Sequence, residues 1–149
     1  MIKVLTKKEE LSEFSPFWEE LYSVDKTATP FQKIGYVNAC MDFGLGKSES
    51  LYVITIKDDP TNKWVAVFPF FLDKKGKLRF INARHTDFCS AVIHPDYSHY
   101  SLFKELSEFI IRDSRVTGLE LDNMESNNKL ISVLKPQFRY TIVHDMNYY

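Results

Sequence analysis

The sequence contains little glycine, and none of it forms a phosphate-binding loop. The 149 residues include five glycines, none of which belongs to a Gly-x-Gly-x-x-Gly or a Gly-x-x-x-x-Gly-Lys pattern. Such loops bind nucleotides because glycine lets a pyrophosphate approach bare main-chain N–H groups at the start of a helix. We therefore expect that the chain binds no nucleotide-type cofactor on its own.

Cysteine is equally scarce. Only Cys40 and Cys89 are present, in segments with the pattern of a buried helix face and of a strand. A single pair is too few for the disulfide framework of a small secreted domain, and a reduced cysteine buries like a small hydrophobic side chain. We predict two reduced thiols in the core.

The chain also lacks a long apolar run and an excess of one charge. Its longest apolar run, 64–72, is interrupted by Pro69 and is far shorter than the roughly 20 residues that a membrane-spanning helix needs. The first residues contain no apolar stretch of signal-peptide length. A formal net charge of -1 provides no basic surface for nucleic acid or an anionic membrane. We expect a cytoplasmic protein with neither nucleic acid nor a membrane as partner.

The residues that are present suffice for one packed core. Hydrophobic residues make up 44% of the chain and aromatic residues 15%, and the length falls within the usual range of a single domain. The sequence shows no internal repeat, linker or low-complexity segment. We predict one domain over residues 1–149.

Two helix starts precede the first long strands. Thr6 and Glu9 have the spacing of a capping box, and the apolar residues after them recur at steps of three and four. Thr29, Pro30 and Gln32 give a stronger signal, because Pro30 suits the first helical position and Gln32 completes a box with Thr29. We predict a second helix from Pro30 to Phe43 and a first helix whose buried stripe comprises Leu11, Phe14, Trp18, Leu21 and Tyr22.

The rest of the chain alternates between strand and helix patterns. Residues 51–57 and 64–72 predict a hairpin, in which Pro69 requires a bulge or an unpaired stretch. The other predicted elements are strands at 2–5, 78–81, 88–93, from Gly118 and at 138–145, and helices around 97–110 and 126–134. The order is β-α-α-β-β-β-β-α-β-α-β, an α/β (α+β) fold. Its first strands should be antiparallel, and its later β-α-β unit requires parallel pairing.

Residue types that bind metals or attack substrates form no standard site. His94, Asp96 and His99 are the tightest cluster of ligand types, but their spacing matches no usual metal site and predicts a polar turn. His85 and Cys89 are four residues apart, which on a strand separates a nucleophile from its base. We predict no metal and assign no catalytic residue.

The stretch from Asn82 to Asp87 has the strongest claim to a function. Arg84, His85 and Asp87 gather polar groups between two apolar strands, and burial forces such groups to find partners. One interpretation is structural, with Asp87 capping the loop or pairing with Arg84. The other is that these side chains bind a substrate.

Several short motifs carry a resemblance to a known family. They are Thr29-Pro30-Phe31-Gln32, Leu51-Tyr52-Val53-Ile54, Val67-Phe68-Pro69-Phe70, Leu78-Arg79-Phe80-Ile81 and Thr86-Asp87-Phe88. In this order and spacing they resemble the amino-terminal half of CelD-like (BcsL-type) acyltransferases, which are relatives of the FemAB group and have the GNAT fold. The resemblance covers roughly residues 10 to 135, and the predicted order of elements is similar to that of the GNAT fold.

The resemblance implies an acyltransferase built from two GNAT-like halves. The carboxy-terminal half of such proteins holds acyl-CoA, for example acetyl-CoA, and the amino-terminal half shapes the acceptor groove or serves as scaffold. Asp87, Arg84, His85 and Gln32 would then contribute to binding a small-molecule amine acceptor. The second half would be a partner, in the same chain or in another.

One position departs from the family's pattern. Cofactor-binding GNAT domains carry a glycine-rich loop before the third helix, whereas residues 94–98 here read His-Pro-Asp-Tyr-Ser. Pro95 removes an N–H donor, and Asp96 adds negative charge where an anion would bind. We therefore expect no acyl-CoA binding by this chain alone.

Two other interpretations stay open. The first is a non-catalytic binding or dimerisation module, since Tyr148, Tyr149 and an unpaired final strand offer an edge for strand addition and homodimer formation. The second is a complete small acetyltransferase with an atypical loop.

Overall fold

The structure is a computed structural model that describes residues 1–86, 88–97, 99–125, 128 and 130–131. Within these ranges it is a mixed α/β fold, with three α-helices and a mostly antiparallel sheet of six strands. In chain order the elements are β1 (Ile2–Leu5), α1 (Lys8–Val24), a 3-10 helix (Pro30–Gln32), α2 (Ile34–Gly44), β2 (Ser50–Asp58), β3 (Lys63–Leu72), β4 (Lys77–Phe80), β5 (Val92–Ile93), α3 (His99–Arg112) and β6 (Gly118–Leu119).

Several predicted features lie outside the described residues. The final strand at 138–145 and the residues Tyr148 and Tyr149 do so entirely, and the helix at 126–134 does so for most of its length. Asp87 is also outside them. The predictions that rest on these residues, including dimerisation through the final strand, remain predictions.

The first helix starts one residue later than its predicted capping box. The carboxylate of Glu10, and not the predicted Glu9, accepts hydrogen bonds from the main-chain N–H groups of Thr6 at 2.8 Å and Lys7 at 3.1 Å. Since α1 begins at Lys8, residue 10 occupies the third helical position, which is the position that reaches back to the cap.

The predicted capping box of Thr29 and Gln32 is confirmed, but the helix that it caps is a 3-10 helix. The side-chain carbonyl of Gln32 accepts hydrogen bonds from the N–H and the hydroxyl of Thr29, both at 2.8 Å. Lys33 is extended, with a ψ of 137°, so α2 begins at Ile34 and does not run continuously from Pro30. Among the helices of the described ranges, none combines the length and the apolar character that crossing a membrane requires.

The sheet is built on the predicted hairpin of β2 and β3, which is confirmed. β2 also pairs antiparallel with β1, and the outer edge of β3 pairs antiparallel with both β4 and β5. β6 runs parallel to β4 after the chain has passed through α3. The predicted parallel pairing is therefore present, and β4 is the strand that provides it.

Pro69 lies where the outer edge of β3 changes partner. The residues after the proline pair with β4, and the residues before it pair with β5. A residue without an N–H fits this gap, and its carbonyl accepts a hydrogen bond from the Ile81 N–H at 2.9 Å. The bulge of the hairpin is at Val65, which the register leaves unpaired. The chain between β4 and β5 is thus free to leave the sheet.

Side-chain alternation divides the core into two clusters, one on each face of the sheet. Ile54 and Phe68 belong to the cluster under α3, whereas their neighbours Val53 and Val67 belong to the cluster under α1 and α2. Both faces of the central strands are therefore covered, which explains their nearly continuous apolar sequence. As predicted, the α1 stripe is buried at Leu11, Phe14, Trp18 and Leu21, and both cysteines are buried thiols. The prediction was wrong for Tyr22, which is only half-buried at the edge of the stripe.

Candidate functional site

A cleft of about 230 Å³ lies between the connection of α1 to α2, the segment that leads into β5, and α3. This volume falls just below the range of about 300 to 1,000 Å³ that is usual for drug-sized ligands, so the cleft suits a small molecule. The described residues that line it are Asp25, Thr27, Thr29, Gln32, Phe88, Cys89, Ser90, Ala91, Ile93, Phe103, Glu125, Asn128 and Leu130.

Asp25 joins two walls of the cleft. It follows the last turn of α1, and only 8% of the residue is exposed. One carboxylate oxygen accepts hydrogen bonds from the N–H and hydroxyl of Thr27 at 2.9 and 2.7 Å, and the other accepts the N–H of Ile93 at 2.9 Å. A buried carboxylate needs such donors, and these fix the start of the connection against β5.

Gln32 holds the next part of the same wall. Its side-chain NH₂ donates to the carbonyl of Phe88 at 2.9 Å, and its main-chain carbonyl accepts the indole N–H of Trp18 at 2.9 Å. Gln32 is 1% exposed and has both side-chain polar atoms bonded. It therefore fastens the 3-10 helix to the segment before β5.

The segment 88–91 is held by side chains and single hydrogen bonds, and not by a sheet ladder. The Cys89 N–H donates to the carbonyl of Asn123 at 2.8 Å, and the NH₂ group of Asn128 donates to the Ser90 hydroxyl at 3.3 Å. The predicted strand at 88–93 is accordingly reduced to Val92–Ile93. Its first residues instead form a wall of the cleft.

The lining has an apolar side and a negatively charged side. Phe88 is 42% exposed and stacks on Phe31, with ring centroids 6.0 Å apart and planes 9° apart. Asp25 and Glu125 contribute carboxylates, and the described lining contains no lysine, arginine or histidine. The cleft therefore favours a ligand with a small apolar body and a positive charge.

The structure separates the predicted site residues. Gln32 lines the cleft, whereas Arg84 and His85 do not. Arg84 donates to the carbonyl of Gly44 at 2.8 Å and forms an ion pair with Glu49, whose pKa it lowers by hydrogen bonding. The His85 ring lies against Gly44, so both residues are placed at the end of α2. Asp87, the fourth predicted residue, lies outside the described residues, and Arg84 takes Glu49 as its partner.

The turn before α3 has no unused N–H group from His94 to Tyr97. His94 donates its main-chain N–H to the Val65 carbonyl at 2.9 Å, and Tyr97 donates to the His94 carbonyl at 3.2 Å. The Asp96 N–H donates to His94 Nδ1 at 3.3 Å, and Pro95 has none. A pyrophosphate cradle needs N–H groups that point at the ligand, so these four residues do not supply one.

Sequence reasoning missed most of the polar residues of the cleft. The spacing of Asp25 and Thr27 is that of an Asx turn, which marks a bend but does not say that Ile93 is a further donor. Asn123 has a φ of 57°, a conformation that asparagine tolerates better than most residues, and its role as acceptor for Cys89 depends on tertiary contacts. No pattern within one element could reveal these links.

No family can be assigned from comparison with known proteins. No protein-family model matches the chain, and a search of curated proteins found no match. Within the described ranges, no group of three or more His, Cys, Asp or Glu side chains is placed to hold a metal ion.

Proposed function

We propose that this chain is a GNAT-like acyltransferase domain that provides the acceptor side of the reaction. In this proposal the cleft binds a small-molecule amine, and a second GNAT-like half supplies acyl-CoA. The observation that carries the proposal is the charge of the cleft, where Asp25 and Glu125 have no basic neighbour in the described lining. An ammonium group is the ligand that such a lining favours.

The arrangement of elements supports the GNAT part of the proposal. Two helices follow β1, an antiparallel run follows them, and β6 returns parallel to β4 after α3. The resemblance described above assigns acceptor binding to the amino-terminal half, and here the connection between α1 and α2 forms a wall of the cleft. The order of these elements and the position of the cleft support the proposal.

The turn before α3 supports the assignment of the cofactor to another half. The N–H groups of residues 94–97 are absent or already bonded, and Asp96 adds negative charge. These residues do not fit the pyrophosphate of acyl-CoA, so in this proposal the other half holds the cofactor. Its contribution is to bind the amine and to orient it.

An NMR titration of the ¹⁵N-labelled chain with 3-phenylpropylamine tests the proposal. The amine should cause saturable shifts at the side-chain NH₂ of Gln32 and the main-chain amide of Ser90, both in the cleft. The neutral analogue 3-phenylpropanol has the same body without the charge and should bind about fivefold or more weakly.

Two matched variants sharpen this test. Glu125→Gln removes a charge of the cleft and should weaken binding of the amine about fivefold. Glu108→Gln removes an exposed charge from α3 and should leave binding of the amine unchanged. Equal binding of alcohol and amine, or amine-induced shifts that lie only outside the cleft, would rule out the proposed acceptor site.

A further inference from the structure

A second concave surface lies between the carboxy-terminal half of α1 and the β2–β3 hairpin. This surface, the hairpin groove, has a volume of about 310 Å³, which is within the range of small-molecule sites. None of its lining residues belongs to the cleft described above. They are Phe17, Glu20, Leu21, Val24, Lys57, Asn62, Lys63, Trp64 and His94.

The floor of the hairpin groove is apolar and includes exposed aromatic surface. Phe17, Leu21 and Val24 recur on one face of α1, and Phe17 is 44% exposed. The Trp64 ring lies 5.0 Å from Phe14 in an edge-on contact and 6.2 Å from Phe17. Trp64 is half-buried and presents part of its ring to the groove.

One rim of the groove carries two lysines, Lys57 and Lys63. Lys57 Nζ lies 5.4 Å from the centroid of the Trp64 ring, and within the described residues neither Lys57 nor Lys63 has a carboxylate oxygen within 4.0 Å. Lys63 is directly opposite Asp58 in the hairpin register, a position where an ion pair is expected. Nevertheless, these two described residues do not form an ion pair.

The cause is that Asp58 is bonded elsewhere. Its carboxylate accepts hydrogen bonds from the N–H and hydroxyl of Thr61 at 3.1 and 2.5 Å and from the Tyr97 hydroxyl at 3.3 Å. The next acid, Asp59, lies 3.3 Å from the ammonium of Met1. The hairpin's own acids therefore leave the two lysines available to an anion.

The remaining polar groups set the charge of the ligand. Glu20 is the one carboxylate in the lining, against two ammonium groups, so the described lining has a net charge of one positive unit. His94 uses Nδ1 to accept the Asp96 N–H at 3.3 Å, which leaves Nε2 as the nitrogen that can meet a ligand. A single negative charge complements this lining.

We propose that the hairpin groove binds a small aromatic monocarboxylate. Its ring lies on the surface formed by Phe17 and Trp64, and its carboxylate pairs with Lys57 and Lys63. The apolar floor provides burial, and the lysines select the anion over a neutral molecule of the same shape. This site is independent of the amine cleft and of the acyltransferase proposal.

The NMR signals of the two tryptophan indole N–H groups test the site directly. Trp18 is fully buried in the core, whereas Trp64 lines the groove, so Trp18 is an internal control for Trp64. The variant Trp64→Phe assigns the two signals. Titration with 3-phenylpropionate should shift the Trp64 signal saturably and leave the Trp18 signal in place.

Matched ligands and variants distinguish recognition of the carboxylate charge from nonspecific hydrophobic binding. The dissociation constants that the Trp64 signal gives for the alcohol 3-phenylpropanol and for the amine 3-phenylpropylamine should each be about fivefold higher than that for the acid. Lys63→Gln should weaken binding of the acid about fivefold. The double variant that also carries Lys57→Gln should weaken it about tenfold or more. Lys47→Gln, which removes an exposed lysine outside the groove, should bind the acid as the parent chain does.

Three results would overturn the proposal. They are equal affinity for acid and alcohol, a shift of the Trp18 signal as large as that of Trp64, and a Lys63→Gln variant that binds the acid as tightly as the parent. Failure of the acceptor proposal would instead appear as a lack of amine-induced shifts in the NMR signals of Gln32 and Ser90. The two failures are therefore distinguishable.

Discussion

The carboxylate of Asp25 accepts a hydrogen bond from the main-chain N–H of Ile93 at 2.9 Å, across 68 positions of sequence. This bond ties the end of α1 to β5, the strand that pairs with the outer edge of β3. Because both groups line the cleft, their contact sets the distance between two of its walls. The shape of the candidate site thus depends on a buried charge that ends a helix.

Replacing Asp25 with alanine should destabilise the fold and open the cleft. The change leaves the buried N–H of Ile93 without its partner and removes the oxygen that accepts both hydrogen bonds of Thr27, so we expect a loss of about 2–3 kcal/mol in the free energy of unfolding. Urea denaturation measures this loss. Asp42→Ala, which removes an exposed partner of Lys8, should cost less than about 1 kcal/mol. Equal losses in the two variants would contradict the role given to Asp25.

The elements that could be predicted from the sequence are those whose pattern is local. The stripe of α1, the capping pair Thr29 and Gln32, and the hairpin of β2 and β3 follow from side-chain period and from residues three positions apart. Glu9 was wrong as the capping partner by one position, because the helix begins at Lys8 and Glu10 is therefore its third residue. Boundaries depend on contacts that the pattern does not contain.

The candidate site could be predicted only in small part. Gln32 was named because of the family resemblance, and it lies in the cleft. Arg84 and His85 were named because polar residues gather between two strands, but their contacts lie at the end of α2, with Gly44 and Glu49. Which wall a loop side chain joins is decided by tertiary packing, and single-sequence patterns carry no information on it.

A second network, only partly buried, should control the acid stability of the fold. Tyr52 donates its hydroxyl hydrogen bond to Asp113, and Arg115 donates to the same carboxylate from Nε at 3.0 Å and from Nη2 at 2.6 Å. Hydrogen bonding by the Arg115 guanidinium and then by Tyr52 holds the pKa of Asp113 well below its usual range. Burial of the ring and its bond to Asp113 raise the pKa of Tyr52.

The sign of the acid effect follows from the lowered pKa of Asp113. A group whose pKa is lower in the folded chain adds stability above its ordinary value, about 3.9 for aspartate, and that stability is lost as the pH falls below it. Asp113→Asn should therefore cost about 1–2 kcal/mol near neutral pH, a figure reduced because Arg115 is half-exposed, and much less near about pH 2.

Urea denaturation of the parent and the Asp113→Asn variant across this pH range measures the difference. Asp122→Asn, which removes a more exposed partner of Arg79, serves as the control and should show a smaller dependence on pH. A gap between parent and Asp113→Asn that stays constant from neutral to acid pH would contradict the account of this network.

The central proposal is that this chain is an acceptor-side GNAT-like half whose described residues before α3, 94–97, form no cofactor cradle. Calorimetric titration of the chain with acetyl-CoA tests it most directly, because all N–H groups of residues 94–97 are absent or already bonded. We predict no saturable heat in a preparation whose cleft still binds 3-phenylpropylamine, the control for a folded chain. One-site binding of acetyl-CoA by the chain alone would contradict the claim.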